Sequence, residues 1–217
     1  MKLKRKNSLV QGIGINDANY PVRIGKNRKI IWRCPFYERW RAMLRRCYCP
    51  LCHKKQPTYI GCSVCPEWRY FSKFRLWMEN QKWEGLELDK DLLVKGNQVY
   101  SPDTCCFIPK AINNIFCSGR KKKNNLPGGV RLISNEKYKV EISIRPGNRY
   151  RKTLSTFKGA HIQALEKKIE AIEYGIISYP ELDIRAVFAL NREINGFQEQ
   201  INNIQNSSPN LFDIPQL

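Results

Sequence analysis

Residues 88–97 read LDKDLLVKGN and run directly into QVYSPDTCCFIPKAINN. The stretch sets Asp89 and Asp91 on either side of Lys90, turns at Gly96-Asn97, and supplies Thr104 and Asn113 further on. The carboxylate of Asp89 and the amide oxygen of Asn113 are hard donors that suit one Mg²⁺ or Mn²⁺ ion. Such an ion would polarise a phosphate ester and stabilise its leaving oxygen. Spacing alone also allows a plain hairpin, with Asp91 as a solvated acid and Asn97 as a turn residue.

A second set of metal-ligand types lies upstream. Cys49-x2-Cys52 and Cys62-x2-Cys65 form two knuckle-like motifs, with Cys47 and His53 as further donors, and zinc takes four such ligands in a tetrahedron. The interval between the pairs is shorter than in common zinc ribbons, so small buried thiols are the alternative. Nine cysteines, an odd number, argue against a disulfide framework. The glycines of GIGIN, Gly12 and Gly14, lack the preceding strand and following helix that phosphate binding needs. His161 reads as a surface residue, and no Ser-His-Asp or Cys-His grouping stands out.

Charge narrows the partner. Lys and Arg number 38 against 19 Asp and Glu, for a formal charge of +19, so a polyanion is expected and double-stranded DNA is the first candidate. No apolar run approaches the roughly 18 residues of a membrane span, and MKLKRK does not lead into a signal-peptide core. A soluble, cytoplasmic protein without a membrane partner is the expectation, and the oligomeric state is left open.

The elements that must hold these residues follow from periodicity. Over 36–48, Phe36, Trp40, Met43, Leu44 and Cys47 recur at helical spacing and leave Arg39, Arg41, Arg45 and Arg46 outside, which predicts a basic amphipathic helix. A second helix is expected from Pro66, turning Trp68, Phe71, Phe74, Leu76, Trp77 and Met78 toward a core. Residues 86–108 read as two strands around Lys95-Gly96-Asn97, and 109–116 as a short helix. The segment 119–125, GRKKKNN, is a basic linker. Three strand-like runs follow, and in the second Tyr138, Val140, Ile142 and Ile144 alternate with polar residues. A helix over 160–174 would cover that sheet with Ala164, Leu165, Lys168, Ile169 and Ile172. Residues 181–205 look helical and the end of the chain frayed. The fold class is α+β, with units at 1–118, 126–176 and 177–217.

Three separated motifs carry a family resemblance: W-x-x-M-L-x-R-C-Y from Trp40, P-T-Y-x-G-C-x-V-C-x-E-W-x-x-F from Pro57, and L-D-K-D-L-L-x-x-G-N-x-x-Y-S-P-x-T-C from Leu88. Together they resemble the HNH homing-endonuclease-like proteins of phages and bacteria. Residues 128–174, with their G-V-R opening and late T-F, are similar to the ethylene-response-factor (Apetala-type) DNA-binding domain that often follows in that group. The resemblance implies a metal-dependent DNA endonuclease working in a bacterial host cell, built on a ββα-metal module.

It places Asp89 as the acid ligand, Lys90 where relatives carry the base histidine, Thr104 where they carry an orienting asparagine, and Asn113 as the helical ligand. Asp91 and Asn97 are compensating candidates. It also points to Cys47, Cys62, Cys65 and Cys105 or Cys106 as candidate zinc ligands. Lysine titrates near 10.4 and makes a poor base at neutral pH, so a catalytically inactive DNA- or protein-binding factor is the competing expectation. In the second module the exposed strand face would present Arg131, Lys137, Lys139, Arg145, Arg149 and Arg151 to DNA. Arg120, Lys121, Lys122 and Lys123 of the linker would add phosphate contacts.

Overall fold

The computed structural model describes residues 9–116 and 126–207. Arg120, Lys121, Lys122, Lys123 and the C-terminal tail lie outside them. Helices and small, mostly antiparallel sheets make the chain α+β. It divides into two compact units, Met1–Glu84 with Leu88–Phe107, and Gly85–Glu87 with Ile108–Leu217.

The first unit opens with a hairpin of β1 (Arg23–Lys26) and β2 (Lys29–Arg33). Asn27 and Arg28 join them at φ 50° and 63°, a two-residue turn whose twist matches that of the strands. The sequence reading did not foresee this ribbon. Helix α1 (Pro35–Tyr48) starts on Pro35, whose missing N–H costs nothing in the first turn, and buries Trp40, Met43, Leu44 and Cys47. The short α2 (Pro50–Lys55) and the strand β3 (Ser63–Val64) follow.

The helix expected from Pro66 begins later. Residues 67–69 form a separate 3-10 turn, and α3 is Phe71–Glu79. Ile15 pairs with Tyr70, accepting from Phe71 N (3.0 Å) and donating to Arg69 O (2.8 Å), and this backbone pairing holds Tyr70 extended. The late start also corrects the expected face of the helix. Phe71, Phe74 and Met78 are buried, whereas Leu76 is 60% exposed on the opposite side. The aromatic run serves packing. Trp68 meets Phe74 edge to face and Trp77 at a tilt, and its carbonyl accepts the Trp40 indole N–H at 2.7 Å.

The hairpin expected across 86–108 is also rearranged. Strand β4 (Leu86–Asp89) pairs with β6 (Cys106–Pro109), while β5 (Val99–Tyr100) runs parallel to β3. Burial of Tyr100 draws β5 to β3, so the Gly96 turn falls inside a long connection instead of joining paired neighbours.

In the second unit, α4 (Lys110–Phe116) precedes an antiparallel sheet of β7 (Val130–Ser134), β8 (Lys137–Arg145) and β9 (Asn148–Leu154), in that order. The alternation in β8 holds residue by residue, and Tyr138, Val140, Ile142 and Ile144 are buried. Helix α5 (Phe157–Ser178) sets Ala160 and Ala164 against Val130, Val140 and Ile142. It is longer than its apolar stripe suggested and is capped by Thr156, whose hydroxyl accepts from Gly159 N at 3.1 Å. Helix α6 (Ile184–Asn206) packs Ile201 and Ile204 on Leu165.

At the start of β7, Gly129 has φ +92°, and a Cβ there would overlap the Ile142 side chain. Gly129→Ala is therefore expected to cost about 1–3 kcal/mol through crowding and the left-handed backbone. Denaturant unfolding would measure the loss, and an unchanged midpoint would contradict the packing described.

Candidate functional site

The first unit gathers five of the sequence-nominated residues into one hydrogen-bonded loop. Asp89 ends β4 with its side chain buried, and its Oδ1 accepts the backbone N–H groups of Asp91 (2.8 Å) and Leu92 (2.7 Å). This turns the chain sharply after the strand, as an aspartate at such a position can. Burial raises the Asp89 carboxyl above the ordinary range, against the lowering effect of those two bonds.

Lys90 is buried and fully engaged. Its Nζ donates to the Asp91 carboxylate and to Asn97 O at 2.7 Å. Burial pulls the ammonium down, but the Asp91 bond and charge prevail and its pKa is raised. Lys90 thus serves as a structural strut of the loop, tying its own segment to Asn97.

Asn97 closes the loop. Its Nδ2 donates to Lys90 O (2.8 Å) and Val99 O (2.7 Å), while its Oδ1 accepts from Val99 N (3.1 Å). Thr104 donates through Oγ1 to the same Val99 carbonyl at 2.6 Å and meets the Ser101 hydroxyl at 2.9 Å. Asn97 thus spends its polar atoms on backbone, and Thr104 divides its hydroxyl between the Val99 carbonyl and the Ser101 hydroxyl. Asn113 belongs to the second unit, half-buried on α4.

In donor type, Asp89 fits a divalent cation. The Lys90 ammonium bonds Asp91 and acts on Asp89 only through its charge, and both backbone bonds of Asp89 end on one oxygen.

The cysteines fall into small groups. Among the described residues, no three His, Cys, Asp or Glu side chains converge as metal ligands. Cys47 lies near Cys62 and Cys52, and Cys105 near Cys65. Burial pushes the Cys47 and Cys105 thiols up to about 12 and raises Cys62 and Cys65. Cys52 donates to Gln56 Oε1 (3.6 Å), Cys62 to Thr58 O (3.9 Å), and His53 Nε2 to Arg46 O (2.8 Å). Cys49 is half-buried and Cys106 buried. Buried thiols of this kind pack as small hydrophobes. Elemental analysis of protein purified without added metal tests a structural zinc site: close to one zinc per chain is expected of it, with loosening of the fold on chelation, and a metal-free, fully folded preparation would leave the cysteines as packing thiols.

The outer face of the second unit's sheet carries the cations. Register places Arg131, Lys139, Glu141, Ser143, Arg149 and Arg151 on the side away from α5. Glu141 was not singled out in the sequence, yet it organises this face. It accepts from Arg149 (3.1 Å) and Arg151 (3.1 Å) and pairs with Arg131 (3.5 Å). Bonds from Arg151 and Arg149 lower its pKa. All three guanidinium groups remain more than half exposed. Lys137 is exposed at the strand end, and Arg145 leans over the Tyr174 ring of α5 at 5.8 Å, away from the row expected for it. The register irregularity between Ser143 and Arg145 accounts for that turn.

No family model, no curated protein and no solved structure matches this chain.

Proposed function

We propose that the chain is a DNA-binding, metal-dependent endonuclease of the HNH type that hydrolyses phosphodiester bonds. The observation that carries the DNA-binding half is the arginine fan on the β7–β9 sheet. Its opposite face is buried on α5, so the exposed face is rigidly presented, and Glu141 gathers three guanidinium groups on it. Arginine in the major groove reads guanine O6 and N7 with two bonds, while Lys137 and Lys139 suit phosphate.

The nuclease half rests on the motif resemblance and on a buried carboxylate, Asp89, held at the end of a strand with one oxygen free of backbone bonds. The resemblance assigns Asp89 and Asn113 as oxygen donors to one Mg²⁺ or Mn²⁺ ion, which when bound would polarise the scissile phosphate. The chain's own contribution is to fix the Asp89 carboxylate through the Asp91 and Leu92 amides and to exclude water around it. A plasmid-nicking assay with Mg²⁺ and Mn²⁺ tests this reading directly. Conversion of supercoiled to open-circular or linear plasmid is expected only with a divalent ion present.

One observation favours a second reading, an inactive DNA- or protein-binding factor that keeps the scaffold. Lys90, Asn97 and Thr104 spend their polar atoms on the loop itself, leaving none of them poised as a base or its orienter. DNA binding without nicking under any divalent ion would decide for it.

A further inference from the structure

The β1–β2 ribbon is unused by the function proposed above. Every residue of both strands is exposed. Between 23 and 33 it carries Arg23, Lys26, Arg28, Lys29 and Arg33 and no acid, together with Ile24, Ile30, Ile31 and Trp32 at 42–64% exposure. The exposed ring and aliphatic chains are unusual for a strand pair with no sheet beside it, since such apolar area normally finds a partner.

The charges are distributed on both faces. Arg23 pairs across the ribbon with Arg33, and Ile24 with Trp32 on the opposite face, where Lys26 also points and meets Lys29. At its base the ribbon joins a cationic surface of α1. Glu38 bonds both Arg33 (3.4 Å) and Arg41 (3.1 Å), and the charges of Arg23 and Arg41 both reach Tyr37. Beyond Arg41 a groove of about 290 Å³ between α1 and α2 is lined by Arg45, Arg46 and Lys55, together with Glu38.

We propose that the β1–β2 ribbon and the adjoining α1–α2 groove form a second duplex-DNA contact, the ribbon entering the major groove and the groove residues gripping phosphates. The B-DNA major groove admits a two-stranded ribbon, and its walls are two rows of phosphate. Cations on both faces of the ribbon, with further cations at its base, match two such walls. A flat anionic membrane would engage one face only. Trp32 and the isoleucines then meet base edges and thymine methyl groups.

The inference rests on the reading that the protein binds DNA, and the experiment separates the two. Affinity of the full chain for a mixed-sequence duplex is measured by fluorescence anisotropy over a range of salt. The variant Lys26→Gln/Arg28→Gln/Lys29→Gln should lower the slope of log affinity against log salt by about 0.9 for each phosphate that is no longer neutralised. Trp32→Ala should weaken binding with the slope unchanged. These side chains are exposed, so thermal melts should match the parent.

A parent that binds duplex DNA with affinity and slope untouched by both variants overturns the ribbon contact alone. A parent with no salt-sensitive DNA affinity overturns it together with the DNA-binding reading. Capture by phosphatidylserine vesicles that Trp32→Ala abolishes, with DNA affinity unaltered, would assign the ribbon to lipid instead.

Discussion

Asp89→Asn is expected to leave a folded, DNA-binding protein that no longer cuts. The amide oxygen can still accept from the Asp91 and Leu92 N–H groups, so the turn after β4 survives, while the charge a divalent ion needs is gone. Metal stabilisation of the developing charge is worth several kcal/mol, so cleavage should drop by about a hundredfold or more.

The same carboxylate has a signature in stability. Its native pKa is raised by burial, so between the ordinary and the raised value the folded state binds more proton than the unfolded chain. Stability contributed by Asp89 therefore falls as pH rises through the window between its ordinary and its raised value, and stays reduced above it. A cation that binds the ionised form reverses this at neutral pH. Mg²⁺ should raise the melting temperature of the parent protein by a few degrees and leave Asp89→Asn unmoved. Plasmid nicking by Asp89→Asn at the parental rate would remove the nuclease assignment. Lys90 behaves oppositely, since its raised pKa gives a stabilisation present across neutral pH that disappears only as alkali passes its native value.

Replacing Arg149 and Arg151 together by Gln should strip sequence preference while sparing much of the affinity. Each arginine able to read guanine discriminates by about 1–3 kcal/mol, so the double variant should lose roughly tenfold or more in specific over non-specific binding. Lys137→Gln and Lys139→Gln should instead weaken all sequences alike and flatten the salt slope by about one unit each. The readout is competition between a site selected from random duplexes and bulk DNA. Because the substituted arginines are exposed and their backbone lies in a paired strand, the sheet should persist. Equal preference in parent and double variant would mean that the fan serves another polyanion.

The helices and the three-stranded sheet were legible because their information is local. Helical spacing from Trp40 to Cys47 and strict alternation from Tyr138 to Ile144 are set by backbone period, and each buried the face it marked. The basic excess, which needs no fold to be read, pointed to a polyanion.

What the sequence could not reveal depended on partners distant in the chain. Pairing with Ile15 moved the start of α3 and exposed Leu76, and pairing with Ser63 and Val64 took β5 away from the expected hairpin. Lys90 could have been a free amine or a strut, and only the approach of the Asn97 carbonyl, seven residues away, and of the Asp91 carboxylate makes it the latter. Glu141 looked like one acid among many cations until cross-strand register brought Arg131, Arg149 and Arg151 to it. Side-chain type determined which chemistry was available. Hydrogen bonds and burial between remote segments decided which groups were left free to perform it.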